Sequence, residues 1–75
     1  MYEWELRKEP DIETVVDRGY VSADDIESAL LWARAAVGLS NIAPELVEHM
    51  PSLHATWARW PSGTMLRVDR VNRPR

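Results

Sequence analysis

Few residues of this chain have the types and spacing that chemistry requires, and the first such group is acidic. Glu45, Glu48 and His49 lie together in the segment ELVEH, where Glu45 and His49 would be neighbours one helical turn apart. Carboxylates and an imidazole can hold a metal ion, but this spacing matches no zinc motif. The sequence therefore predicts no metal site and no cofactor.

A nucleophilic site would need a hydroxyl or a thiol with a base in reach. The chain has no cysteine, which also excludes disulfides and thiolate metal ligands. Ser62 falls on a predicted loop and His54 at the far end of the adjoining strand, about 25 Å away at about 3.3 Å per residue. The three glycines are isolated, so no glycine-rich phosphate loop is present. We therefore predict that the protein is not an enzyme.

A second group of residues has the composition of a binding surface and lies in HATWARWPSGTMLRVDRV, residues 54–71. The stretch WPSGT is typical of a three-residue hairpin loop, with Pro61 at the first turn position and Gly63 in the left-handed conformation. Counting outward from this loop predicts two antiparallel strands in which Trp57 lies opposite Arg67. That pair would allow a cation–π contact.

The hairpin register sorts the side chains onto two faces, because residues opposite each other in an antiparallel pair share a face. One face is predicted to cover the core: Thr56, Ala58, Trp60, Leu66 and Val68. The other is predicted to face outward: Trp57, Arg59, Met65, Arg67 and Asp69. Tryptophan, arginine and methionine are enriched at interface centres. We predict that four of these outward residues bind a partner: Trp57, Arg59, Met65 and Arg67.

The same outward face has a second interpretation, a solvated ladder of charges. If the N-terminal strand lies beside the hairpin, Glu3 and Glu5 come near Arg59 and Arg67. The arginine stems would then cover Trp57. The sequence alone does not decide between a charge ladder and a binding face.

The elements that position this hairpin follow from the rest of the chain. Residues 2–8 alternate apolar and polar side chains, which predicts a half-buried strand. Residues 12–21 are rich in β-branched side chains and are predicted to return as the second strand of a hairpin. Gly19 within them indicates a bulge or a close approach of the backbone.

Two helices are predicted between the hairpins. Ser22 is the expected N-cap of the main helix, with Asp25 three residues later in a capping-box-like arrangement, and Gly38 is the expected residue just after its end. Residues 40–50 are predicted to form a shorter helix that Pro51 terminates. The predicted fold is α+β, a small antiparallel sheet in the order β-β-α-α-β-β with the main helix on one face. Residues 1–71 would form a single compact domain and residues 72–75 a short basic tail.

Two apolar residues of the main helix lie off its buried stripe. Leu31 points near the opposite side and Trp32 lies on the flank. If both are exposed, they form a patch. We therefore predict Leu31 and Trp32 as a second partner-binding site.

The charge of the chain is divided unevenly, although its net value is only −3. Residues 1–48 carry eleven acidic against four basic side chains, and residues 49–75 carry five arginines against one aspartate. Such asymmetry can mark a surface for nucleic acid or for an acidic partner, or it can attract the two halves within one fold. The overall acidity has the wrong sign for a general nucleic-acid binder.

We predict a small non-catalytic interaction module, with an accessory, regulatory or inhibitory role, that binds another protein or a second copy of itself as a homodimer. The alternative is nucleic-acid binding by the same face and the basic tail, with Trp57, Arg59, Arg67, Arg70, Arg73 and Arg75 as contacts. No run approaches the roughly 20 apolar residues needed to cross a bilayer. The N-terminus also lacks the apolar centre of a secretory signal. We therefore expect a cytoplasmic protein and no membrane partner.

Overall fold

The computed structural model describes residues 1–50 and 55–71, which form one antiparallel sheet of five strands and one helix. The elements in chain order are β1 (Tyr2–Lys8), β2 (Asp17–Val21), α1 (Ile26–Ala36), β3 (Leu46–Met50), β4 (Ala55–Arg59) and β5 (Thr64–Arg70). The strands lie in the order β2-β1-β5-β4-β3. An α+β fold with an antiparallel sheet is therefore confirmed, whereas the predicted β-β-α-α-β-β order is wrong.

The error lies in residues 40–50, where the second helix was predicted and β3 is found instead. The spacing between Ile42, Leu46 and Met50 is four residues. Side chains four residues apart share a face in a helix, whose period is 3.6 residues, and also in a strand, whose period is two. The pattern is therefore compatible with both structures. Pairing decides between them, because Val47 lies opposite Ala58 in the ladder that joins β3 to β4.

Helix α1 begins three residues later than predicted. Its N-cap is Asp25 rather than Ser22, and the Asp25 carboxylate accepts a hydrogen bond from the backbone N–H of Ser28 at 2.7 Å. Aspartate at this position satisfies one of the free N–H groups of the first turn. The same hydrogen bond from Ser28 stabilises the charged carboxylate and so lowers the pKa of Asp25 from its usual value.

Acidification is expected to weaken the fold in part through Asp25. The pKa of Asp25 is lower in the folded protein than its usual value of 3.8. The contribution of Asp25 to the free energy of unfolding is therefore complete above pH 3.8, and it is lost as the pH falls through the pKa of the folded protein. Urea unfolding of the wild type and of Asp25→Asn, which caps without titrating, measures this effect. The difference between the two midpoints should shrink from pH 5 to pH 2, and a constant difference would contradict the assignment.

The C-terminal end of α1 matches the prediction. Gly38 has a φ of +77°, in the left-handed region. The backbone N–H of Leu39 donates to the carbonyl of Arg34 at 2.8 Å, and that of Gly38 donates to Ala35 at 3.2 Å. This pair of hydrogen bonds is a Schellman motif, which satisfies carbonyls that the helix leaves free.

The core lies between α1 and the face of the sheet toward it, which we call the inner face. Ala29 and Ala33 of the helix are completely buried, and their small side chains let the helix lie close to the central strands. The residues predicted for the core side of the hairpin are all buried: Thr56, Ala58, Trp60, Leu66 and Val68. The predicted division of the hairpin into two faces is therefore confirmed.

Gly19 of β2 provides a close approach and not a bulge. It lies opposite Trp4 of β1 in an unbroken register, and the buried indole of Trp4 lies directly over it. A Cβ atom at this position would lie 2.5 Å from Cζ2 of Trp4. The absence of a side chain at Gly19 thus makes room for a core residue.

Candidate functional site

The β4–β5 hairpin has the predicted loop and register. Gly63 adopts a φ of +87°, and the backbone N–H of Trp60 donates to the carbonyl of Thr64 at 2.9 Å. Trp57 lies opposite Arg67. As a result the two tryptophans lie on opposite faces of the sheet: Trp60 is only 1% exposed, whereas Trp57 is half-buried on the side away from α1, which we call the outer face.

Part of the outer face is an ion-pair network centred on Glu5. The Glu5 carboxylate lies 3.1 Å from Nη2 of Arg7, 3.4 Å from Nη1 of Arg67 and 3.8 Å from Nη2 of Arg18. Arg67 also pairs with Asp69 at 2.9 Å. Over β2, β1 and β5 the outer face is therefore the charge ladder that the sequence offered as its second interpretation.

The predicted cation–π contact is also present. The guanidinium carbon of Arg67 lies 5.9 Å from the centre of the Trp57 ring. Because Arg67 pairs with Glu5 as well, it joins the charged part of the outer face to the aromatic part. Such a contact contributes about 0.5–1 kcal/mol at an exposed site.

Arg59 has different partners from those expected. Its guanidinium lies 2.8 Å from the carboxylate of Glu9 and 3.7 Å from that of Glu45, rather than near Glu3 or Glu5. All three side chains are more than 40% exposed. Exposed pairs of this kind contribute little to stability.

The other part of the outer face, over β3, β4 and β5, is an apolar groove of about 280 Å³, which we call the outer groove. Three of the four predicted partner residues line it: Trp57, Arg59 and Met65. Arg67 does not line the groove, but its guanidinium contacts Trp57, which does. The structure thus brings the predicted residues together on one face, and their binding of a partner stays a prediction.

Four further residues line the outer groove and were missed by the sequence analysis: Ile12, Leu46, Glu48 and Met50. Leu46 and Met50 are 50% and 38% exposed and lie on the outer face of β3. Both were missed because their segment was predicted to be helical. LVEHM does not alternate apolar and polar side chains, so no local signal places Leu46 and Met50 beside Trp57.

Ile12 reaches the outer groove from the loop between β1 and β2. The Arg7 guanidinium holds this loop, because its Nη1 donates to the carbonyls of Ile12 at 2.8 Å and Glu13 at 2.9 Å. Asp11 stabilises the same loop by accepting a hydrogen bond from the Thr14 hydroxyl at 2.6 Å. Arg7 therefore positions a residue of the groove without lining it.

The second predicted patch is exposed. Leu31 and Trp32 are 61% and 62% exposed, so the condition set for a patch is met. They border a shallow depression of about 420 Å³ together with Ser28, Arg34, Ala35 and Ser40. Because α1 covers the inner face of the sheet, this depression lies on the other side of the molecule from the outer groove. Its use as a binding site stays a prediction.

The candidate metal ligands do not converge. Glu48 lies on the outer face and His49 on the inner face, where its Nδ1 is 2.8 Å from the hydroxyl of Thr56. Within residues 1–50 and 55–71, no group of three or more histidine, aspartate or glutamate side chains could hold a metal ion.

Of the two residues considered for nucleophilic chemistry, only Ser62 is described. Its hydroxyl forms a hydrogen bond with the hydroxyl of Thr64 at 3.0 Å. His54 lies outside the described residues.

Known proteins give no further information about this site. Comparisons with models of protein families, with curated proteins and with solved structures found no match to the chain. In the described part of the chain, no helix is both long and apolar enough to cross a membrane. A proposal for function therefore depends on the geometry of the outer groove.

Proposed function

We propose that this protein is a non-catalytic interaction module that binds a protein partner in the outer groove. The observation that carries the proposal is the apolar lining itself, in which Trp57 and Met65 of the hairpin meet Leu46 and Met50 of the edge strand. Single exposed apolar residues are common, but a contiguous set indicates a contact surface. Tryptophan and methionine are also residue types that interface centres favour. A cytoplasmic location belongs to the same proposal.

The charged residues around the outer groove fit a protein interface. Arg59 and Glu48 lie in the lining, and Glu9 and Glu45 pair with Arg59 beside it. An apolar centre with a polar rim is the usual arrangement of such interfaces, because the rim excludes water from the centre. Both signs of charge are present, so the rim can select a complementary partner.

The ion pairs of the outer face weigh against the nucleic-acid alternative. Arg67 already contacts Glu5 and Asp69, and Arg59 contacts two glutamates. A phosphate that approached either arginine would meet these carboxylates as well, which lowers the electrostatic attraction. Arg70 is exposed at the end of β5, while Arg73 and Arg75 lie outside the described residues. We therefore favour a protein partner.

Removal of the Trp57 side chain is expected to weaken partner binding by about thirtyfold, the effect of losing about 2 kcal/mol at an interface hot spot. A photo-crosslinking residue at position 46, compared with one at the exposed position 24, identifies the partner in the native host. The affinity of that partner is then measured for the wild type, Trp57→Ala and the control Tyr20→Ala, whose exposed side chain belongs to neither candidate patch.

Two results would contradict this proposal. One is equal affinity of the partner for Trp57→Ala and for the wild type. The other is crosslinking at position 46 to nucleic acid, with binding that falls steeply between low and moderate salt and a slope that Arg59→Ala or Arg67→Ala flattens. A protein interface centred on Trp57 should respond weakly to salt.

A further inference from the structure

Strand β3 is an edge of the sheet whose backbone is open to a further strand. It pairs with β4 on one side, and no described strand pairs with its other side. All five of its residues are exposed. An edge of this kind is a template for another chain in extended conformation.

The register shows which backbone groups of β3 are available. The N–H of Trp60 points toward β5, where it donates to Thr64. Along a strand, the backbone N–H and C=O groups of successive residues point to alternate sides. Trp57 is three residues from Trp60, so its backbone groups point the other way, toward β3. Glu48 lies opposite Trp57, and its backbone groups point back toward β4. The N–H and C=O groups of Val47 and His49 therefore point outward from the free edge.

Apolar surface borders this edge on both faces of the sheet. On the outer face, Leu46 and Met50 extend the outer groove up to the edge. On the inner face, α1 packs mainly on β5, β2 and β1, and it leaves a second groove of about 330 Å³ between itself and β3. Val47, which is 51% exposed, lines this inner groove with Ile26 and Leu30. An added strand would thus bury side chains on both of its faces.

We propose that β3 binds an extended segment of the partner protein as a sixth, antiparallel strand. The inference rests on the proposed function, because one face of that strand would complete the outer groove. Main-chain hydrogen bonds to Val47 and His49 would hold the segment, and its alternating side chains would give specificity. Apolar residues are required on both of its faces, with a lysine or arginine opposite Glu48.

The charge of the partner strand follows from the carboxylates near the edge. Within residues 1–50 and 55–71, Glu48 forms no ion pair, and the neighbouring Arg59 is engaged by Glu9 and Glu45. Glu27 lines the inner groove on the other side of β3. A cation facing Glu48 would gain a partner there, and an anion would be repelled.

The same glutamate argues against a second copy of this chain as the occupant. A two-fold axis that joins two β3 edges through Val47 and His49 places Glu48 directly opposite Glu48 of the second copy. That position is a non-hydrogen-bonded pair, in which the Cα atoms lie about 4.5 Å apart. Like charges placed directly opposite each other destabilise a strand pair. In this register Glu48 therefore opposes self-association, whereas a basic residue of a partner strand at the same position would be attracted.

The experiment uses a synthetic nine-residue peptide, acetyl-Lys-Thr-Ile-Val-Lys-Val-Ile-Thr-Lys-amide, whose central lysine would face Glu48. Its control replaces the central lysine with glutamate. We expect the lysine peptide to bind about fivefold more tightly, which corresponds to about 1 kcal/mol for a favourable cross-strand charge pair. Glu48→Lys should reverse the order of the two peptides. Circular dichroism shows whether that variant keeps its fold, and the two peptides on the wild-type protein provide the test without it.

Methylation of peptide nitrogens separates strand addition from binding by side chains alone. The two valines beside the central lysine would direct their N–H groups toward β3, and N-methylation of both is expected to abolish binding. The N–H of the central lysine would point away, so N-methylation there should have little effect. Binding is followed by the NMR shifts of the Val47 and His49 amides, which should move most.

Three outcomes would overturn strand addition. These are no binding of the lysine peptide at millimolar concentration, equal effects of the two methylation patterns, and association of the free protein through β3. If the peptides fail while capture of a partner still depends on Trp57, the proposed function stands and strand addition is wrong. If the peptides bind while the captured partner has the same affinity for Trp57→Ala as for the wild type, the outer groove is not the interface.

Discussion

Replacement of Trp60 with alanine is expected to remove about 3–5 kcal/mol from the free energy of unfolding. Trp60 is 1% exposed and is the largest fully buried side chain in the described core. Small domains have total stabilities near the lower end of the range of about 5–15 kcal/mol. Trp60→Ala should therefore leave much of the protein unfolded at room temperature.

A second contribution comes from the Trp60 indole N–H. It donates to the carbonyl of Ile42 at 2.8 Å, and the Arg34 guanidinium donates to the same carbonyl at 2.9 Å. These bonds hold the segment that leads from α1 to β3. Loss of Trp60 should thus release β3 and the outer groove as well as opening a cavity in the core.

Urea unfolding checks this prediction, with Trp32→Ala as the matched control. Trp32 is the same residue type on the exposed side of α1 and is 62% exposed. Its replacement should change the free energy of unfolding by no more than about 0.5 kcal/mol, as is usual for surface positions. Trp60→Phe, which keeps a ring but loses the indole N–H, should fall between the two. A loss below about 1 kcal/mol for Trp60→Ala would be inconsistent with a buried core position.

Gly19→Ala is expected to destabilise the protein by about 2 kcal/mol, because inserting a carbon into a packed core typically costs about 1–3 kcal/mol. The new Cβ would lie 2.5 Å from Cζ2, 2.7 Å from Cε2 and 2.8 Å from Nε1 of Trp4. Where space allows, the same change stabilises a protein by about 0.4–1 kcal/mol through the unfolded state. The sign of the effect therefore reports the contact with the indole.

Thermal unfolding of Gly19→Ala, Trp4→Phe and the double variant tests whether contact with the Trp4 indole causes the loss of stability. A phenyl ring is shorter than an indole, so the double variant should lose less stability than the two single changes added together. Additive losses would show that Trp4 is not what excludes a side chain at Gly19. An increase in stability for Gly19→Ala alone would contradict the close approach altogether.

The hairpin could be predicted from the sequence because its determinants are local. The Pro-Ser-Gly loop sets the turn, and once the turn is set, the two-residue period assigns every side chain to a face. The opposite orientations of Trp57 and Trp60 follow from this alone. The Gly38 helix end was equally local, since a left-handed residue there satisfies carbonyls of its own helix.

The remaining features depend on contacts between distant segments. The LVEHM stretch suits a helix or a strand, and it is a strand because β4 offers it a pairing edge. Ser22 and Asp25 can both cap a helix. Strand β2 continues through Val21, which pairs with Tyr2, and the chain uses the next residues to turn before α1 begins. No local pattern records either constraint.

The outer groove was half predictable for the same reason. Trp57 and Met65 follow from the hairpin register, whereas Leu46 and Met50 need the correct structure of β3. Ile12 depends on a long arginine that reaches two carbonyls of a neighbouring loop, a contact without a sequence signature.

The position of β5 in the middle of the sheet has a consequence for synthesis of the chain. Glu5 of β1 and Arg67 of β5 are 62 residues apart yet face each other. While the nascent polypeptide emerges from the ribosome, the β1–β2 hairpin can pack against α1, but it has no third strand to pair with until β5 is translated. Such distant pairing makes folding slow and leaves strand edges unprotected meanwhile. A chain stalled before Thr64 would lack the strand that unites the two halves, so chaperone demand should be highest at that point.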